Sequence, residues 1–246
     1  DEIYPFTVDD NTTDSATDYT APTFTNGVVD NGDGTITVPA GVTTFNIITP
    51  TVDDTLDEET EFYDITVGGV PATGTIVDNE TVTVVSITDS NVTEGTDENH
   101  TIVMSGAAAT DKDYPFTLTD NTTDAVTDYD TAGITFTNGV TLAGGTLTVP
   151  VNVTTFDMIV PTTDDALDED EEFYDLNIGG ATAVGIITDN DTVTVATVTS
   201  DTVTEGTDLN HTVTMSGVSA TDEIYPFTVD DNTTDSATDY TAPTFT

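Results

Sequence analysis

The carboxylates of Asp and Glu are the side chains in this sequence whose number and spacing could form a binding site. Asp and Glu account for 47 of 246 residues, against a single basic residue, Lys112, and the formal net charge is −46. The acids concentrate in short stretches such as DDTLDEETEFYD (53–64) and DDALDEDEEFYD (164–175). Carboxylates held within a few ångströms raise one another's pKa values unless a cation lies among them. Such loops suit Ca²⁺, which binds about six to eight oxygens in irregular geometry.

The charge and composition exclude several function classes. Nucleic acid and anionic membrane surfaces would be repelled, and no apolar run approaches the ~20 residues of a membrane span, so we expect neither partner. No signal peptide is visible at Asp1. The absence of Cys and the presence of one His per repeat argue against zinc. His100 and His211 are expected to be buried and neutral, and no Ser, His and acid constellation recurs at usable spacing, so we predict no enzyme.

The acidic stretches recur because the sequence is internally repeated. VTEGTDENHTIVMSG (92–106) returns as VTEGTDLNHTVTMSG (203–217), at a spacing of about 111 residues, and residues 1–25 are identical to residues 222–246. Two slightly different repeats therefore alternate. We predict that residues 1–79 are the C-terminal part of one repeat, 80–191 a complete repeat and 192–246 the N-terminal part of the next, in a window on a longer array.

Short alternating apolar runs, bounded by Gly, Pro, Asn and Asp, predict the strands that position these acids. In the complete repeat the predicted strands are 81–87, 99–105, 113–119, 133–137 with a continuation at 146–149, 154–160, 172–178 and 183–188. Seven strands at this spacing predict an all-β fold: tandem immunoglobulin-like, seven-stranded antiparallel β-sandwiches joined end to end.

Strand parity predicts where the acids meet. Antiparallel strands reverse at every connection, so the loops after the first, third and fifth strands share the end at which the seventh strand finishes. That end leads into the next repeat. Its acidic residues are Glu94, Asp97, Asp120, Asp124, Asp128, Asp164, Asp165, Asp168, Glu169, Asp170, Asp189 and Asp191. We predict more than one Ca²⁺ at each junction, whereas scattered acids such as Asp9 and Asp14 are expected to be solvated surface.

The stretch TTFDMIVPTTDDALDEDEEFYDLNI (154–178), followed by GIITDND (185–191), resembles the Calx-β family, known from sodium–calcium exchangers and from large bacterial surface proteins. The resemblance covers the whole repeat. It implies calcium ligands at Glu94, Asp128, Asp164, Asp165, Asp168, Asp189 and Asp191. The matching positions are Asp18, Asp53, Asp54, Asp57, Asp78 and Glu80 in the first part, and Glu205 and Asp239 in the last. Asn79 and Asn190 stand at the middle of the terminal triplet, where their neutral oxygens would weaken one site.

The repeat array and its acidity are similar to the extender regions of giant calcium-dependent adhesins. We therefore expect a structural repeat of an extracellular fibre, filament or adhesin stalk on a prokaryotic cell surface, made rigid by Ca²⁺ between neighbouring repeats. The alternative is a calcium-supported module that binds carbohydrate or a partner surface, and a calcium sensor is a third possibility. Identical subunits that complete one another's sandwiches also remain open.

Overall fold

The described chain, residues 1–236 and 238–245 of a computed structural model, consists of β-strands and the turns between them. It divides into two units, which we call unit 1 (1–164 and 172–188) and unit 2 (165–171 and 189–246). Within the described residues, no helix is both long and apolar enough to cross a membrane.

The first repeat begins unit 1. Its strands are β1 (Glu2–Asp10), β2 (Thr23–Phe24), β3 (Val29–Asp30), β4 (Thr35–Val38), β5 (Ile47–Ile48), β6 (Glu61–Val67) and β7 (Val70–Ile76). They form a sheet of order β3-β4-β1-β6-β7 and a small β2-β5 sheet, both antiparallel. Phe6, Val28, Ile36 and Val38 are buried between them.

The second repeat contains a two-sheet sandwich. In chain order the elements are β8 (Val84–Ile87), β9 (Ser90–Thr93), β10 (Glu98–Met104), β11 (Lys112–Asp120), a 3₁₀ turn (Thr131–Gly133), β12 (Thr135–Phe136), β13 (Thr141–Ala143), β14 (Thr146–Val149), β15 (Thr155–Val160), β16 (Leu167–Asp168), β17 (Glu172–Ile178) and β18 (Ala181–Thr188). One sheet has the order β12-β15-β10-β8 and the other β13-β14-β11-β17-β18-β9. The predicted all-β, immunoglobulin-like sandwich is confirmed.

The core of this sandwich follows the predicted alternation. His100 and Ile102 on β10 are fully buried, whereas the next residue, Val103, points away from the core and is 39% exposed. The other residues with 0–1% exposure include Leu147, Phe156, Met158, Val160, Tyr174, Leu176 and Ile178. Burying each large apolar side chain contributes about 1.5–3 kcal/mol, so these facing residues supply most of the repeat's stability.

One edge of the sandwich differs from the predicted antiparallel arrangement. The chain crosses from one sheet to the other after β8, and β9 then runs parallel to β18, with Ser90 opposite Gly185. The carboxylate of Asp89 accepts a hydrogen bond from the Val184 amide at 2.9 Å and anchors the crossing. Periodicity could not reveal the switch, because β9 (SNVT) contains a single apolar residue, Val92, and alternation does not say to which sheet a strand belongs.

Unit 2 contains β16 together with β19 (Val195–Val198), β20 (Val213–Met215) and β21 (Val218–Ser219). β19 and β20 pair antiparallel, while β16 pairs with β21 in parallel register, Leu167 opposite Val218. The acidic stretch of the second repeat thus contributes a short strand that pairs with a segment of the third repeat.

Candidate metal centre

Asp18 lies on a tight turn that the sequence DSATDY (14–19) forms after β1. The Asp18 amide donates to the Asp14 carbonyl at 2.9 Å, and the Thr17 hydroxyl donates to the Asp18 carboxylate at 2.8 Å. The next residue, Tyr19, is buried and stacks on Tyr63 with ring centroids 5.0 Å apart. This anchored ring fixes the turn, and Asp18 is left only 8% exposed.

Glu58 and Glu61 come from the acidic stretch that precedes β6. The Glu58 amide donates to the Asp78 carboxylate at 3.2 Å, which ties the stretch to the end of the repeat. Glu61 is the first residue of β6 and lies opposite Ile76. Carboxylate oxygens of Asp18, Glu58 and Glu61 all lie within 4.8 Å of one another. We call these three residues the carboxylate cluster.

The cluster lines a pocket at the end of the first repeat, next to the passage into the second. The acidic residues that line this pocket are Asp18, Asp53, Asp54, Glu58, Glu59, Glu61, Asp78 and Glu80. Every ionisable side chain that lines this pocket is therefore a carboxylate, which offers oxygen ligands and not nitrogen or sulfur.

The electrostatics of the cluster favour a bound cation. Burial raises the pKa of Glu61 to about 7, assisted by a hydrogen bond with Asp18 and by the charges of Asp18 and Glu58. Burial and the neighbouring acids, Asp54 first among them, also raise the pKa of Glu58. A carboxyl whose pKa is raised by like charges is one whose ionised form a divalent cation would stabilise. The donor set fits Ca²⁺, which binds carboxylates from irregular loops.

The structure brings most of the ligands implied for the first repeat to this pocket. Asp53, Asp54, Asp78 and Glu80 line it together with Asp18. The Asn79 amide group donates to the Asp53 carboxylate at 3.3 Å and so acts as a donor there.

Asp57 is placed elsewhere. Its carboxylate accepts hydrogen bonds from the Val82 amide at 2.7 Å and from the Lys112 ammonium at 2.6 Å, and the residue is 6% exposed. Burial opposes ionisation here, but these two hydrogen bonds and the Lys112 charge hold the pKa of Asp57 below its ordinary value. In this structure Asp57 contacts the following repeat.

Three ligands implied for the second repeat lie in unit 1. Glu94 is 8% exposed, and its amide donates to the Thr188 carbonyl at 3.1 Å. Asp164 packs against Gly95, whose φ of +74° and lack of a Cβ allow the close approach. The carbonyl of Asp128 accepts from the Thr163 amide at 2.9 Å. The first, third and fifth loops and the end of β18 therefore meet, as parity predicts.

The other implied ligands lie in unit 2. Asp165 accepts from the Leu167 amide at 2.7 Å and Asp168 from the Val193 amide at 2.6 Å. Asp189 accepts from the amides of Glu169, at 3.1 Å, and Asp191, at 3.2 Å. The remaining two, both exposed, are Glu205 and Asp239.

Sequence reasoning missed Glu58 and Glu61. A signal was present, because both acidic stretches keep Glu at these positions, as Glu169 and Glu172, while the two residues between them change. Parity assigned the loop but could not say which of its adjacent carboxylates point inwards.

The second repeat also contains three buried polar side chains that hydrogen-bond to one another, a group that the sequence predicted only in part. Glu98, His100 and Tyr174 are all 0% exposed. The Tyr174 hydroxyl donates to Glu98 and lies 2.8 Å from His100 Nε2, while Nδ1 lies 2.7 Å from the Thr88 carbonyl. His100 is buried as predicted, with two partners, and Glu98 belongs to the core. The same prediction is wrong for His211, which is exposed, with Nδ1 2.7 Å from the Thr199 carbonyl.

Comparisons with known proteins give partial likenesses. No protein-family model matches the sequence, and no curated protein matches it significantly. Among solved structures, CBD12 from CALX1.2 gives a TM-score of 0.35 at 17% identity, over 47% of this chain and 49% of that one. The I9–I11 tandem from titin gives 0.24 at 8% identity, over 74% of this chain and 59% of that one. The chain thus spans about half the length of the CBD12 chain, and likenesses of this size indicate no function.

Proposed function

We propose that the chain is part of a structural array, an extracellular fibre or adhesin stalk of a prokaryotic cell surface, whose β-sandwich repeats are made rigid by Ca²⁺ at their junctions. The observation that carries the proposal is the carboxylate cluster of Asp18, Glu58 and Glu61, in a pocket that Glu80 also lines. Glu80 opens the segment that leads into the second repeat, so an ion bound in this pocket would contact the connection between repeats.

Charge repulsion gives the ion its structural effect. With 47 acidic residues and one basic residue, the chain cannot neutralise its own carboxylates. A divalent cation would stabilise the ionised cluster and reduce motion of the connecting segment, because binding free energy becomes folding free energy. Calcium near millimolar concentration, as found outside cells, occupies weak sites of this kind.

The test compares the protein in about 1 mM Ca²⁺ and in chelator. We expect Ca²⁺ to raise the melting temperature and to lengthen the particle in small-angle X-ray scattering. An ion present at about 100 times its Kd stabilises by about 2.7 kcal/mol. Coincident scattering profiles and melting curves in the two conditions would contradict the proposal.

A double variant, E58Q/E61Q, sharpens the test. Replacing two mutually repelling carboxyls should stabilise the protein in chelator, and it should reduce the gain that Ca²⁺ produces. The matched control is E2Q, which removes an exposed acid on β1 and should leave the calcium gain unchanged. A merely structural role for Glu58 and Glu61 would instead lower stability in both conditions.

A further inference from the structure

Asp57 and the second repeat form a contact that we call the first junction. Asp57 and Ala108 form a parallel β-bridge. The Asp57 carboxylate accepts from the Val82 amide at 2.7 Å, and the Tyr114 hydroxyl donates to the Val82 carbonyl at 2.8 Å. The Asp57 carboxylate and the Tyr114 hydroxyl thus bind the amide and the carbonyl of the same residue, Val82.

Unit 2 contains the same contact one repeat later, which we call the second junction. Asp168 pairs in parallel register with Ser219, and its carboxylate accepts from the Val193 amide at 2.6 Å. The Tyr225 hydroxyl donates to the Val193 carbonyl at 2.7 Å. Each of these residues follows its counterpart by about 111 positions.

The two junctions differ in charge at one position. At the first, the Lys112 ammonium lies 2.6 Å from Asp57 and 3.8 Å from Glu59. At the second, the equivalent residue is Glu223, whose carboxylate is 3.4 Å from the Ser219 hydroxyl. The identical terminal segments mean that Glu2 also occupies this position, so Lys and Glu alternate along the repeats.

The Lys112–Asp57 ion pair is more than a surface contact. The two side chains are 23% and 8% exposed, so the carboxylate is surrounded by protein and water screens its charge only weakly. Exposed pairs contribute little to stability, but loss of the cation beside a buried carboxylate leaves a charge that the protein must solvate. At the second junction no Lys or Arg can take this place, because Lys112 is the single such residue in the sequence and its counterpart is Glu223.

We propose that Lys112 holds the two repeats of the first junction together without a metal ion, through its ion pair with Asp57. We call this ion pair the lock, and we propose that the second junction has no equivalent of it. An array of both repeat types then loosens at every second junction when divalent cations are removed, and its flexible period is two repeats. This last step rests on the proposed function; the difference between the two junctions does not.

The Val82 and Val193 amides report on the two junctions within one molecule. We expect K112M, measured in chelator at constant pH by NMR-detected hydrogen exchange, to speed exchange of the Val82 amide about fivefold and to leave Val193 unchanged. The variant E223K should slow exchange of the Val193 amide by a similar factor and leave Val82 unchanged. The Ile102 amide on β10, inside the core, is the control for general destabilisation.

Unchanged Val82 exchange in K112M, or unchanged Val193 exchange in E223K, would overturn the lock. So would equal acceleration at Val82 and Ile102, which would mean that Lys112 stabilises the whole repeat rather than the junction. The outcome is separable from that of the proposed function. If Ca²⁺ fails to alter scattering or melting while both amides respond as expected, the lock stands and the calcium-stiffened array does not.

Discussion

Calcium binding at the carboxylate cluster should release protons, and Glu61 is the residue that makes this measurable. Its pKa of about 7 means that it is about half protonated at pH 7 in the metal-free protein. Ca²⁺ binds the ionised carboxylate, so binding at pH 7 should release about half a proton from Glu61, and nearly a whole proton at pH 6. The apparent Kd of this site should be about tenfold weaker at pH 6 than at pH 8.

Isothermal titration calorimetry in two buffers with different ionisation enthalpies counts the released protons. The variant E61Q cannot release this proton, so it should show about half a proton less per chain at pH 7 and a flatter dependence of Kd on pH. E2Q, on exposed β1, should behave as the parent. Equal proton release by the parent and E61Q would refute the reasoning, because it would mean that Glu61 is already ionised in the empty pocket or is not a ligand.

Three further predictions concern stability. In chelator, the free energy of unfolding should fall as pH rises from about 5 to about 8, because Glu61 ionises near 7 when folded and near 4.5 when unfolded; guanidinium titrations of E61Q should show a flatter profile. Y174F should lose about 1–3 kcal/mol, since Glu98 loses its buried donor, whereas Y63F at the half-buried equivalent position should lose less than about 1 kcal/mol in urea titrations. G185A should cost about 1–3 kcal/mol or more because the new methyl overlaps the Tyr174 ring. Equal losses of unfolding free energy for Y63F and Y174F in these urea titrations would refute the assignment of the buried polar group.

Periodicity was sufficient to predict the sandwich and much of its core. Alternation along β10 and β17 predicted the inward faces of both strands, since a side chain's face depends only on local backbone geometry. The same alternation did not predict β9, because this four-residue strand contains a single apolar residue, Val92. It also could not predict that Glu98 is buried, because its partner Tyr174 is 76 residues away in the sequence.

The candidate site was predicted as a region and not as a set of ligands. Strand parity predicted which loops meet, but each loop carries adjacent acids that point in different directions. Glu58 and Glu61 turn into the pocket, while Asp57, the residue before Glu58, turns to the second repeat. Whether the implied positions coordinate Ca²⁺ stays a prediction that metal titration of single variants will test.

The sequence by itself determined the repeat length, the strand pattern and an excess of negative charge that needs compensation, because these are properties of residue order and composition. Only the tertiary structure decided where that charge is compensated. A carboxylate's partner is set by the direction of its side chain and by what lies within about 4 Å, and both depend on packing between distant segments. For that reason a single Lys among 47 acids could be counted from the sequence, but its role beside Asp57 could be seen only in the folded chain.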